Sequence, residues 1–174
     1  SHHERADRMS LPAVRVLADA SGVAEAAADQ IIEVATAAVA ARGVFHLCTT
    51  GGSTPAALYR ALREPSRSAR MPWGETQIWF GDDRFVPRSD PLSNVAPLDA
   101  QLLSAAADGA LSPLASSAVH PWPTTAADAP TAVSAYLEEL RGAGVSHMPS
   151  GFPIFDLVLI GIGGDGHCLS VFPG

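Results

Sequence analysis

The chain has 174 residues, is 47% hydrophobic and carries a formal net charge of -7, which describes one globular domain with a sizeable core, not two. The acidic balance, with no basic stretch to oppose it, speaks against a nucleic-acid partner, and no apolar run reaches the eighteen or so residues of a membrane helix. All eleven basic side chains are arginine, so a lysine Schiff base and a P-loop lysine are both excluded within these residues.

"SHHERADRMS", residues 1–10, reads as a histidine-tag and linker remnant, so His2 and His3 are set aside and residues 11–174 are expected to form the domain. No secretory signal pattern opens the chain, which implies a cytoplasmic protein. "AVRVLAD" alternates Val14 and Val16 with polar or small neighbours, the pattern of a short strand. From Val23 to Ala41 the apolar positions Val23, Ala27, Ile31, Val34 and Ala38 recur at helical steps, and Gly43 is placed to end that helix.

"VFHLCTT" predicts a second strand that runs into "GGSTPAALYRALRE", where Thr54 and Pro55 make a cap and first-turn pair for a helix. "TQIWFGDDRFVP" predicts a third strand, "SNVAPLDAQLLSAA" a helix interrupted at Pro97, and "LSPLASSAVHPWPTTAADAP" a connector holding a short strand. "TAVSAYLEELRGAG" predicts a glycine-terminated helix and "PIFDLVLIGIG" a buried strand. Strands alternating with helices indicate an α/β, Rossmann-like layered fold with a mainly parallel sheet flanked by helices, and ligands in such sheets bind beyond the carboxyl ends of the strands.

Three polar clusters occupy those ends. In "GGSTP" the glycines let the backbone approach a ligand and the helix-start amides favour an anion, although an ordinary glycine turn with a threonine cap fits as well. "GDDRFVPRSDPLSN" gathers Asp82, Asp83, Arg84, Arg88 and Asn94, either an arginine grip on a phosphate or carboxylate or a solvated turn with its own ion pair. "GIGGDGHCLSVFPG" has the glycine spacing of a dinucleotide turn but lacks the long helix and the later acidic residue, so no cofactor is expected.

His167, on that glycine-flanked loop, can take a proton from water near neutral pH, with Asp165 either orienting the ring or contacting substrate. His46, His120 and His147 lack such a setting and read as structural. Cys48 and Cys168 lie far apart without a Cys/His cluster, so they read as reduced thiols, and neither a disulfide nor a metal site is expected. There is no G-x-S-x-G elbow, which leaves water as the simpler nucleophile.

Taken together, "GGSTP", "GDDRFVPRSDPLSN" and "FDLVLIGIGGDGHCLSVFPG", with "AYLEEL" before the last, resemble the signatures of the 6-phosphogluconolactonase family in order and spacing. The resemblance implies hydrolysis of 6-phospho-D-glucono-1,5-lactone, with His167 as base supported by Asp165 and the amides of Gly163, Gly164 and Gly166 around the oxyanion. It implies a phosphate loop of Gly51, Gly52, Ser53 and Thr54, with Asp82, Arg84, Arg88 and Asn94 in the substrate site. Neither metal nor cofactor is implied, and the partner is a small sugar-phosphate lactone bound by a monomer or weak homo-oligomer. Family members continue beyond the "FPG" motif, so the C-terminal part of the family fold is expected to lie outside this chain.

Two departures accompany the resemblance. Asp82-Asp83-Arg84 stands where the family often has Asp-Glu-Arg, and Cys168 and Leu169 replace a small pair after the histidine. The related fold also hosts amino-sugar-phosphate isomerases and deaminases, for which Asp82 or Asp83 would be the base, and a non-catalytic sugar-phosphate sensor would keep the anion loop alone.

Overall fold

Asp19 opens the first helix: its carboxylate accepts the Gly22 N–H at 2.8 Å, and α1 then runs over Ala20–Arg42 until Gly43, at φ 76°, turns its N–H onto the Val39 carbonyl. The computed structural model describes residues 14–105, 109 and 111–174, so the tag-like residues 1–10 lie outside it. The buried stripe of α1 is Ala24, Ala28, Ile31, Ile32, Ala35 and Ala38, one step around the helix from the stripe led by Val23. Small residues at four of those six positions let α1 lie close against α2, which spans Ser53–Arg63. The one-turn helix α3, Pro65–Ser68, follows it.

Strands β1, Phe45–Thr49, and β2, Thr76–Phe80, pair in parallel with Leu47 opposite Ile78. Both are rich in aromatic and apolar residues, as a strand covered on both faces must be. Their side chains alternate between two cores. Phe45, Leu47, Ile78 and Phe80 face α1, α2 and the segment around Leu98 and Leu102. Cys48 and Trp79 face α5, Ala129–Gly142, through Tyr136 and Leu140. The molecule is thus a sheet between two helical layers.

Beyond β2, α4 is a single turn, Ala96–Leu98, continued by a wider turn over Asp99–Leu103. Pro97 falls at its first turn, where a missing N–H has no helical partner to lose, so it starts the helix and does not interrupt it. The connector carries β3, Val119–His120, beside β2.

Two expected strands are corrected. Val14 and Val16 are 85% and 90% exposed and residues 14–19 form no strand, because no edge of the described sheet lies beside them to bury one face. The run "PIFDLVLIGIG" is divided and largely exposed. Pro153–Ile154 forms β5, antiparallel to β4, Ser146–His147; Leu157–Val158 forms β6, parallel to β1. Between them Asp156 accepts the His46 N–H at 2.8 Å and pairs with Arg42, which turns the chain into the main sheet. Among the described residues β6 pairs with β1 alone, and Val158 and Ile160 are partly in solvent.

A polar cluster braces the α5 face. Trp79 stacks on His120 with centroids 3.9 Å apart, worth about 1 kcal/mol, and His120 is held between Glu139 and Gln77. The Trp79 indole N–H donates to His46 Nδ1 at 3.1 Å, a bond only an unprotonated Nδ1 can accept. Burial, foremost, holds the His46 pKa below the ordinary imidazole value, against the opposing pull of Asp156. Its contribution to stability is therefore complete above that ordinary value near 6.5 and is lost as pH falls through the lower folded-state value. The urea midpoint is expected to drop between about pH 7.5 and about pH 5.5, and to drop less in His46→Gln; an equal drop in the variant would place the pH dependence elsewhere.

Candidate active site

The sheet order is β3-β2-β1-β6. The chain steps outward from β1 to β2 to β3, crosses back through α5, and enters β6 on the far side of β1. Loops leaving the strands on either side of that reversal diverge and open a crevice at their carboxyl ends. A cavity of about 390 Å³ lies there, and residues following β1, β2 and β6 line it. All three clusters of the sequence therefore meet in one place.

After β1, Gly52 adopts φ 100°, open to glycine and strained for other residues, and swings the chain into α2. Helix α2 begins at Ser53 with Gly52 at the cap position and no side-chain cap bond. This corrects the expected role of Thr54, which lies inside the first turn and lines the cavity with Pro55. Uncapped, the first-turn amides and the positive end of the helix dipole remain available to an anion. The side chain of Ser53 lies outside the described residues.

After β2, the loop is organised by its carboxylates. Asp83 accepts the backbone N–H groups of Arg84 and Asn94 at 2.8 and 2.7 Å and the Ser93 hydroxyl at 3.1 Å, so it braces the loop. Arg84 Nη1 donates to the Leu92 carbonyl at 2.9 Å and to Asn94 Oδ1 at 2.7 Å. Its Nε and Nη2 make no hydrogen bond among the described residues, and the guanidinium lines the cavity. Buried Asn94 donates from Nδ2 to the carbonyl and carboxylate of Asp82. It also lies so close over Gly51 that a Cβ there would fall 1.7 Å from Asn94 Oδ1. Arg88 instead makes a two-pronged pair with Asp99 at 2.8 and 2.6 Å, and it does not line the cavity.

After β6, Ile162 and Cys168 form an antiparallel bridge that closes the histidine loop. The Gly163 N–H donates to the His167 carbonyl at 2.8 Å and the Gly166 N–H, at φ 88°, to the Gly163 carbonyl at 2.9 Å. Those two amides hold the loop's shape. The Gly164 N–H makes no backbone bond among the described residues.

His167 Nδ1 pairs with Asp165. A carboxylate only accepts, so this contact places the ring proton on Nδ1 and leaves the Nε2 lone pair free to take one. The main-chain N–H of His167 first, and its ring second, hold the Asp165 carboxyl below the usual range. Phe172 flanks the ring with centroids 5.0 Å apart, and a Cβ at Gly163 would strike it at 2.1 Å.

His46, His120 and His147 are not among the lining residues, and burial pushes the Cys48 thiol up to about 12, where it is inert at neutral pH. The sequence reading missed the α1 residues Val23, Ala24 and Ala27, which line the cavity together with Leu169. Nothing in their local pattern marks them, because helix packing brings α1 to the site. Among the described residues no helix is long and apolar enough to cross a membrane, and no group of three or more His, Cys, Asp or Glu side chains is placed to hold a metal ion.

Residues 18–174 match the family model described as glucosamine-6-phosphate isomerases/6-phosphogluconolactonase. The chain is 35% identical over 167 residues to the 6-phosphogluconolactonase of Streptomyces coelicolor, covering 93% of this chain and 61% of that protein. It is 36% identical over 163 residues to the Synechocystis 6-phosphogluconolactonase, covering 93% and 63%. The solved structure of 6-phosphogluconolactonase from Trypanosoma brucei superposes with a TM-score of 0.78 at 26% identity, over 94% of this chain and 64% of that one. The chain therefore spans somewhat less than two thirds of the length of the curated relatives it matches.

Proposed function

The chain belongs to the glucosamine-6-phosphate isomerase/6-phosphogluconolactonase family, and from that premise we propose that it hydrolyses 6-phospho-D-glucono-1,5-lactone to 6-phospho-D-gluconate. The observation that carries the reading is the pairing of His167 Nδ1 with Asp165 on one wall of a cavity whose other walls carry the uncapped α2 amides and Arg84.

In this reading the substrate phosphate sits at the α2 N-terminus, against the amides that follow Gly51 and Gly52 and the free Nε and Nη2 of Arg84. Anchoring that end directs the ring carbonyl toward His167 and makes the attack effectively intramolecular. His167 Nε2 takes a proton from water as the water oxygen bonds to C1. The tetrahedral intermediate collapses by breaking the bond from C1 to the ring oxygen, and that proton passes from His167 to the departing oxygen, leaving a carboxylic acid that ionises. Of the Gly163, Gly164 and Gly166 amides, that of Gly164 has no backbone acceptor among the described residues, and in this reading it meets the developing oxyanion. A lactone is an activated ester, so a placed water, one base and amide donors supply the chemistry.

The test is acid release by the full chain from freshly made lactone, measured above spontaneous hydrolysis. Turnover insensitive to a chelator is expected. In Arg84→Ala, KM is expected to rise about ten- to a hundredfold, the loss of a hydrogen bond to a charged group, with kcat less affected. Ammonia release from glucosamine 6-phosphate, or tight 6-phosphogluconate binding without lactone turnover, would overturn the assignment.

A further inference from the structure

The histidine loop has little ladder of its own to stand on. Its supporting strand β6 pairs only two residues, Leu157 and Val158, with β1, and His167 follows nine residues later. Within the loop, bridges join Ile162 to Cys168 and Cys168 to Val171; these shape the loop without tying it to the rest of the site.

Two contacts supply that tie. Ser170 Oγ donates to Asp82 Oδ2 at 2.6 Å, joining residues 88 positions apart. Beside it Leu169 adopts φ 52°, the one non-glycine residue with a positive φ among those described, and its two Cδ atoms come within 3.2 Å of where a Cβ of Gly81 would stand. A branched residue holds that strained conformation only where its surroundings impose it. The seat that imposes it is the bare backbone of Gly81 at the end of β2.

Asp82 then connects the two halves of the site. Its Oδ2 accepts from Ser170 and its Oδ1 from Asn94 Nδ2 at 3.0 Å, while Asn94 Oδ1 accepts from Arg84 Nη1. One chain of hydrogen bonds runs Ser170, Asp82, Asn94, Arg84, from the histidine loop to the arginine. A carboxylate would repel a phosphate, and with both oxygens occupied Asp82 is better suited to joining loops than to holding the anion.

We propose that Ser170 is a positioning residue: its bond to Asp82 locks the His167 loop onto the end of β2 and sets the spacing between the proton-accepting imidazole and the anion-binding loop. Ser170 does not line the cavity, so it acts through His167, and the proposal rests on the reading of His167 as base.

The experiment compares S170A, S170T and D82A in the full chain. S170A is expected to lower kcat on the order of tenfold, as a displaced catalytic group does, with KM unchanged because the phosphate contacts are untouched. S170T, which keeps the hydroxyl, recovers most of the rate, and S170A adds no further loss in a D82A background. Independently of turnover, the amide and ring signals of His167 in NMR spectra move in S170A. Wild-type kcat together with unmoved His167 signals in S170A overturns the proposal. A wild-type chain without lactone turnover whose His167 signals still move in S170A overturns the functional reading and leaves the tie standing.

Discussion

Replacement of His167 by alanine is expected to lower kcat for lactone hydrolysis by about 10²–10⁴-fold, the usual contribution of a positioned general base, with KM little changed. The asymmetry follows from the geometry: the ring lies on the β6 loop, whereas the proposed anion contacts lie after β1 and β2. Removing the imidazole leaves the uncapped α2 amides and Arg84 in place, so binding survives while water loses its proton acceptor. Stability should hardly move, since the His167 side chain is 37% exposed and its main partner is the exposed Asp165. Rates measured against spontaneous hydrolysis check the assignment. Turnover within a few fold of wild type would remove His167 from the role of base.

Gly51→Ala is expected to damage both stability and binding. The added methyl would lie 1.7 Å from Asn94 Oδ1 and 2.2 Å from its Cγ, and Asn94 is held where it is. It is buried, its Nδ2 is bonded to Asp82 and its Oδ1 to Arg84. Relief requires breaking those bonds or displacing the loop, and overpacking of this kind costs about 1–3 kcal/mol. Because Arg84 loses its anchor, KM for the lactone should rise alongside the fall in melting temperature. Adding Asn94→Ala removes the two closest clashing atoms, so the double variant should regain stability relative to Gly51→Ala alone. Strict additivity of the two changes would show that the clash is not the cause.

How much of this was legible beforehand differs from element to element. Helix α1 and its glycine stop, the strands β1 and β2, and α5 with its glycine-rich end all emerge from period and cap chemistry, because each is specified by residues a few positions apart. The helix after Gly52 was legible but its first residue was not. Thr54 is a good cap by type, yet the backbone of Gly52 makes the turn, and α2 starts two residues earlier than a Thr54 cap would place it. Val14 and Val16 failed because alternation states only that a segment suits a half-buried edge, and no edge lies beside it. The run from Pro153 to Gly163 departs from its expectation because apolar composition does not state how many neighbours a strand meets, and among the described residues β6 pairs with β1 alone.

Within the site, residue identity and partnership part company in the same way. Short-range pattern places glycines, arginine and histidine at three strand ends, and the α/β alternation dictates that strand ends are where a ligand binds. Which groups remain free is a long-range matter. Arg84 keeps two donors while Arg88 is taken by Asp99, Asp83 turns inward to brace its loop, and the Gly163 and Gly166 amides close on their own turn. By itself the sequence determined the layered fold, the three loops and the chemistry that each side chain can offer. Tertiary structure alone decided the reversal of strand order that brings those loops around one cavity, and which donors and acceptors its packing leaves unpaired there, because hydrogen-bond partners separated by 88 residues, as Ser170 and Asp82 are, leave no trace in local spacing.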